Sequence, residues 1–541
     1  MLNLFFDMKS MIRLIALLLT LPIITSCKQQ TQIQNTGLVY CSNGSPTSFN
    51  PQLAQTGDSL DISSQLYNTL VRLDPSTQTI AAGLASEWQV SRDGLSYQFE
   101  LRQDIQFHST PYFTPTRAMN ADDVVFSFQR VLFPTHPFHS VSGGLYPFFN
   151  NTQFDRLIKS VKKIGPYTVE FKLHRPDTSL LANLATEFAV ILSAEYGKQL
   201  QQSGKFTQID HLPIGTGPYK FKQFLPDNLI RFERHWGYWE GGTPMQQLVF
   251  DITPSPTKRL AKLITGECDV MAYPAASQAN VISNHPDLLM NVQTGYKVSF
   301  WSFNNDKAPF DNPKVRKALA TAIDRDTILK AVYFNTGVAA HGLLPPTSWA
   351  YNPYLSDYPY SPKQARQLLQ ESGAKLPLSL TIYTPSGSDL YNPNSFKTAE
   401  FIQRDLRKIG VNAEIVVMEP HHLERSIAMG EYDTLVSGWS AVTSDPDNFF
   451  RPQFSCNAIE NHTNTSRWCS TELDGLINRA VKLNRMVPRI RIYREIQAHL
   501  RDELPLLPLA HSLQLQAYRR DVHGLNSSPF GGVNFAGAYR D

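Results

Sequence analysis

The stretch GYKVSFWSFN, residues 295–304, decides how the fold is read. Tyr296, Val298 and Phe300 fall at every second position, so it reads as an alternating strand. A helix follows at Asp311-Asn312-Pro313: proline suits a first helical turn, and Val315, Ala318, Leu319 and Ala322 recur at helical spacing. Far along the chain a helical face of Tyr493, Ile496 and Leu500 is stopped at Pro505. A second apolar run then begins, LLPLAH at 506–511. The two runs read as places where the chain crosses between bodies. They predict a second lobe over 295–508 and a tail, 509–541, that returns to the first.

The text before residue 295 fits a first lobe of mixed elements. Apolar residues alternate in YQFELR (97–102) and VEFKL (169–173), as in half-buried strands. Asn120 can cap a helix whose first turn carries Asp122 and Asp123 and whose inner face is Val124, Phe128 and Val131. Strand and helix signals alternate without repeats or low-complexity tracts, which predicts an α/β protein built from several layers.

Composition narrows the function. The chain has 541 residues, 42% of them hydrophobic, enough to fill more than one core. Fifty Lys and Arg against 47 Asp and Glu leave a net charge of +3, which argues against a nucleic-acid partner. The apolar stretch LIALLLTLPIIT (14–25) follows Lys9 and Arg13 and is too short to span a bilayer. It reads as a secretory signal over 1–26. Ile24-Thr25-Ser26-Cys27 resembles a lipobox, which predicts lipidation of Cys27 and a polar tether to about residue 37. Cys41, Cys268, Cys456 and Cys469 remain, an even set in an exported chain, with three connectivities open. Cys456 and Cys469 lie 13 apart, so a local bridge is the simplest choice, and it leaves Cys41 to Cys268.

Motifs for catalysis are missing: there is no P-loop, HExxH, GxSxG or GxGxxG. His421-His422 could ligate metal or haem, but adjacent residues diverge on helix or strand, so an exposed pair is favoured. Asp445-Pro446-Asp447-Asn448 lacks the remaining ligands of a calcium loop and reads as a turn and helix cap. Gly215-Thr216-Gly217-Pro218 has no lysine and reads as a tight turn.

Several strings together resemble the bacterial extracellular solute-binding proteins of family 5, the binding subunits of peptide ABC importers. They include Leu84-Ala85-Ser86-Glu87-Trp88, Asn120-Ala121-Asp122-Asp123-Val124, Pro213-Ile214-Gly215-Thr216-Gly217-Pro218-Tyr219, Val315-Arg316-Lys317-Ala318-Leu319, and Trp439 with Asp445-Pro446-Asp447-Asn448-Phe449-Phe450. Gly266-Glu267-Cys268-Asp269-Val270 and the closing SLQLQAYR (512–519) resemble the Sap branch, which is linked to antimicrobial-peptide resistance. The dipeptide-binding branch comes next.

The resemblance implies a type II, two-lobe periplasmic-binding-protein clamp with an additional domain on the first lobe, spanning 38–294. It implies a monomer without cofactor or catalysis, closing on a peptide ligand and delivering it to a permease and its ATPase subunits. The membrane is met through the lipid anchor only. A haem or metal-chelate carrier on the same scaffold is the alternative, and an exported lipoprotein enzyme is a remote third. The implied ligand contacts are Thr56, Gly57 and Asp58, Tyr146 from the additional domain, and Asp389, Tyr391 and Asn392 with Gly438, Trp439, Ser440, Ala441, Val442 and Asp445 from the second lobe. Dipeptide binders hold the ligand's ammonium with an Asp after the Trp and its carboxylate with an Arg before the Tyr. Val442 and Asp389 stand at those places here, so the two-ended clamp is lost. The departure predicts longer or basic peptides, with Asp58, Asp389 or Asp445 offering negative charge.

Overall fold

The structure is a computed structural model that describes residues 36–54, 60–74, 77, 79–387 and 389–541. The signal segment, Cys27 and nearly all of the tether lie outside the described residues, as do Thr56, Gly57 and Asp58. Among the described residues no helix is long and apolar enough to cross a membrane.

The first lobe is organised on strand Gly37–Ser42, which lies parallel to both Gln247–Ile252 and Val270–Met271. Antiparallel strands Leu229–Arg234 and Tyr219–Leu225 extend the sheet outward. Cys41, buried in the first of these strands, is bonded to Cys268 just before Val270–Met271, with Cα atoms 5.8 Å apart. A separate four-stranded antiparallel sheet forms the additional domain, in the order Ala85–Val90, Ser96–Leu101, Thr168–Leu173, Ile158–Gly165. The two strands read from alternation are neighbours in it, pairing Tyr97 with Phe171 and Phe99 with Val169. Helix Ala121–Leu132 packs on this sheet. Its start is a full capping box: Asn120 accepts from the Asp122 N–H, and the Asp123 carboxylate accepts from the Asn120 N–H at 2.9 Å.

The second lobe has a mixed sheet in which Leu378–Pro385 lies parallel to both Val411–Met418 and Thr434–Ser440. Strand Lys297–Phe303 sits between Thr434–Ser440 and the 14-residue strand Leu506–Arg519. All seven of its residues are buried, so the expected alternation of covered and open faces is absent. The reason is its central place: Trp301 and Phe303 enter one core while Val298 and Phe300 enter another. Its lysine and serines are partnered internally, whereas the buried Trp301 Nε1 is not. The Ser299 hydroxyl is 2.6 Å from that of Tyr333, and Lys297 Nζ donates to Gln514 Oε1 at 3.0 Å.

The long strand joins the lobes. Leu506 to Ala510 pairs with Lys297–Phe303 in the second lobe, whereas Leu513 to Arg519 pairs with Leu288–Thr294 beside the first. The switch falls at His511 and Ser512, opposite the turn at Gly295 and Tyr296. Beyond it the tail packs into the first lobe, burying Val522, Val533, Phe535 and Ala538 in that core. Asp61 Oδ1 accepts from the Val533 N–H, and Arg540 pairs with Asp269 at 2.8 Å. This is a two-lobed α/β clamp, with two strand connections at the hinge.

Candidate functional site: a two-chambered cleft

The lobes meet around two cavities. One, of about 540 Å³, has Phe148, Asp177 and Phe188 of the first lobe facing Tyr391, Trp439 and Asp447 of the second. The other, of about 430 Å³, lies among Ser63, Asn68, Glu187 and Trp239 of the first lobe, with Phe530 of the tail in its wall. Phe188, Val442 and Thr443 line both, so they form the partition between adjoining chambers. The lobes also touch directly, since the Thr178 N–H and hydroxyl both donate to the Val481 carbonyl.

The wall from the second lobe is built by one strand and the turn after it. Strand Thr434–Ser440 brings Gly438, Trp439 and Ser440 to the larger chamber. At Gly438 the Tyr391 ring presses on the backbone: a Cβ there would lie 2.2 Å from a ring carbon, so only glycine lets Tyr391 take this position. The Trp439 indole is anchored by donating to the Asn448 carbonyl at 2.8 Å, and the Val442 N–H donates to the Asn448 side chain at 2.9 Å. The string 445–448 is a turn leading into helix Asp447–Phe454, with Asp445 accepting from the Asp447 N–H.

Of the residues implied by resemblance, Tyr391, Gly438, Trp439, Ser440, Val442 and Asp445 line the larger chamber. Others do not line either chamber. Tyr146 is buried in the additional domain, where its hydroxyl accepts from Arg130 Nε and donates to the His139 carbonyl; its neighbour Phe148 supplies the chamber wall. Asn392 is fully buried against Thr398, and Ala441 packs in the core of the second lobe. Asp389 is hydrogen-bonded to Tyr391 and lines neither chamber. Asp445 is not a free charge: both its oxygens accept from Arg489, at 3.0 and 2.7 Å, with both side chains nearly buried. Its negative charge is neutralised inside the wall, so it offers a ligand cation little. Cys456 is bonded to Cys469, Cα atoms 5.0 Å apart. His421 and His422 are exposed on helix Pro420–Met429 and line neither chamber.

Phe148, Asp177, Phe188 and Glu187 were not singled out from the sequence. They come from three separate segments of the first lobe, around 148, 177 and 187–188, and no local motif joins them. Asp177 is 5% exposed and accepts from both the N–H and the hydroxyl of Ser179. Burial first, and then the charge of Asp447 across the cleft, raise its carboxyl to about 6. The native state therefore binds this proton more tightly than the unfolded chain, and the cost of the buried charge is present above pH 6 and relieved as pH falls toward 4. Asp177→Asn keeps an oxygen for Ser179. It is expected to stabilise the protein by about 1–3 kcal/mol at pH 7.5 and by almost nothing near pH 4. Thermal melts of both proteins across that range check this; a gain that does not shrink with acid would refute it.

A fold and a cleft of this kind have known counterparts. Residues 79–461 match the family profile described as bacterial extracellular solute-binding proteins, family 5 Middle. The chain is 42% identical over 510 residues to the peptide transport periplasmic protein SapA of Salmonella typhimurium, covering 94% of this chain and 93% of that one. It is 41% identical over 504 residues to the dipeptide-binding protein of Escherichia coli, covering 93% and 94%. The crystal structure of a dipeptide-binding protein from Pseudoalteromonas sp. SM9913, in complex with Met-Leu, superposes with a TM-score of 0.83 at 41% identity, over 93% of this chain and all of that one. Solute-binding proteins of this kind are not enzymes. The chain thus belongs to the bacterial extracellular solute-binding proteins of family 5.

Proposed function

We propose that this protein is the extracytoplasmic peptide-binding subunit of an ABC importer of the Sap type. It captures peptides as the lobes close and presents the closed form to the permease and its ATPase subunits. In this reading residues 1–26 are the export signal, and Cys27 carries the lipid that holds the protein to the membrane. Residues 27–37 are the tether, 38–294 the first lobe, 295–508 the second and 509–541 the return. The clamp works as a monomer, and by its Sap likeness it serves resistance to antimicrobial peptides.

The observation that carries the reading is the cleft itself. Its two adjoining chambers carry aromatic rings, among them Phe188, Trp239, Tyr391 and Trp439, beside charged and polar side chains, and where the dipeptide mode needs a carboxylate the partition offers Val442. Peptide backbone can be held there by main-chain hydrogen bonds, as in strand addition, without matched charges at both ends. A ligand shifts the clamp toward closure only by its greater affinity for the closed state, so peptides that reach both lobes are favoured. The exposed position of His421 and His422 outside both chambers favours peptide over haem.

Native mass spectrometry of the purified protein, with release and sequencing of whatever co-purifies, is expected to return peptides longer than two residues. Calorimetry with neutral dipeptides is expected to show weak binding that is insensitive to blocking their termini. Tight binding of dipeptides, abolished by blocking, would overturn the proposed selectivity.

A further inference from the structure

Among the described residues, the smaller chamber has one acidic side chain with a sealed oxygen that no donor reaches. Of its lining residues Arg72 and Glu240 form an ion pair with each other, and Asp74 accepts from the Thr77 N–H at the surface. Glu187 is different. Its Oε2 is sealed from solvent with no hydrogen-bond partner, while the residue as a whole keeps partial access to the chamber. The backbone is fixed around it: the Glu187 carbonyl accepts from the Ser63 hydroxyl at 3.3 Å, and Phe188 stacks on Phe148 with ring centroids 4.8 Å apart. Nearby Asp61, itself buried, accepts from the Tyr40 hydroxyl and the Val533 N–H and adds to the negative potential. Burial, and then the charge of Asp61, push the Glu187 carboxyl well above the usual carboxylate range.

A carboxyl group with a sealed, donor-less oxygen resists ionisation in the empty protein, and its charged form gains most when a cation enters. We propose that the smaller chamber is a subsite for a cationic side chain of the ligand, a lysine ammonium or arginine guanidinium, with Glu187 as its counter-charge. The assignment rests on reading the cleft as a peptide site and deepens it: the chain past the Val442 partition would place a basic residue beside Glu187, separate from the Asp445–Arg489 pair in the larger chamber.

The test is calorimetry on the full chain with Lys-Ala-Ala, Ala-Lys-Ala, Ala-Ala-Lys and their ε-acetyl-lysine counterparts, with tri-alanine and spermidine as further arms. In the native protein at least one lysine peptide is expected to bind about thirtyfold or more tighter than its acetylated form. Glu187→Gln is expected to erase that preference and to melt no lower than the native protein, because it removes a buried carboxyl that has no partner for its charged form. Glu87→Gln, on an exposed strand position, is the control and should keep the preference. Equal binding of lysine and acetyl-lysine peptides, or a preference that survives in Glu187→Gln, would overturn the subsite while leaving the peptide reading standing. No binding of any tripeptide would remove the peptide reading and this assignment with it. Spermidine binding that depends on Glu187, without any tripeptide binding, would make the cation a free polyamine and overturn the peptide source.

Discussion

Arg130→Met is expected to lower the unfolding free energy by about 3–5 kcal/mol, read as a lower midpoint in urea denaturation. Arg130 and Asp210 form an ion pair at 2.7 Å with neither side chain exposed to solvent. Asp210 also accepts from Asn50 Nδ2 and the Ser142 hydroxyl, each at 2.7 Å, and Arg130 Nε donates to the Phe138 carbonyl and the Tyr146 hydroxyl. Removing the guanidinium leaves a carboxylate deep in the first lobe with neutral donors only, and that uncompensated charge is the source of the loss. The double variant Arg130→Met with Asp210→Asn should recover much of it, since the amide oxygen still accepts from Asn50, the amide NH2 can donate to the Ser142 hydroxyl oxygen, and no charge remains. A double variant no more stable than Arg130→Met would show that the cost lies in packing instead. Because Tyr146 hangs on this arginine and precedes Phe148, ligand affinity in the single variant should fall along with stability.

The pair Val442→Asp with Asp389→Arg is expected to raise affinity for Met-Leu by about two orders of magnitude. The carboxylate introduced at position 442 would stand on the partition between the chambers, able to meet an α-ammonium. The guanidinium introduced at position 389 could hold a carboxylate bidentately. Blocking either end of the dipeptide should return affinity to the native level. The single variants should gain less than half of the effect in free energy, because each leaves one end of the dipeptide unmatched. The arginine has to displace the present hydrogen bond between Asp389 and Tyr391, and a Tyr391 ring shifted from Gly438 would cancel the gain. Unchanged dipeptide affinity in the double variant would mean that the two positions do not set end recognition in this clamp.

Elements with a local cause are legible in the sequence. The helix after Asn120 starts where a capping residue meets an acidic first turn, and the paired strands 96–101 and 168–173 carry a period of two. The helix starting at Pro313 has Asn312 accepting from the Lys314 N–H, and the helix containing Tyr493 ends at Leu504 in a left-handed conformation just before Pro505. Gly215 and Gly217 read as a turn. The structure shows why they are glycine: Cβ atoms there would fall 2.0 and 2.4 Å from backbone oxygens of the helix Leu60–Leu66. Strand Lys297–Phe303 is legible as a strand, but its burial is not. Alternation reports one covered face, and a central strand has two.

The cleft divides in the same way. Trp439, Gly438 and Val442 sit in one contiguous string that resembles the family, so they can be named from sequence. Asp177, Glu187 and Phe188 cannot, because their importance comes from facing another lobe or another chamber, and nothing beside them in the chain records that. Charge is hidden for the same reason. Asp445 reads as an available carboxylate until Arg489, 44 residues on, is found bonded to both its oxygens. Residues 295–304 and 506–511 by themselves point to two bodies with a return, since local pattern and chain order carry that much. Which carboxylate is paired and which is left open to a ligand was decided only by the tertiary structure, because electrostatic pairing depends on distance in space and on exclusion of water.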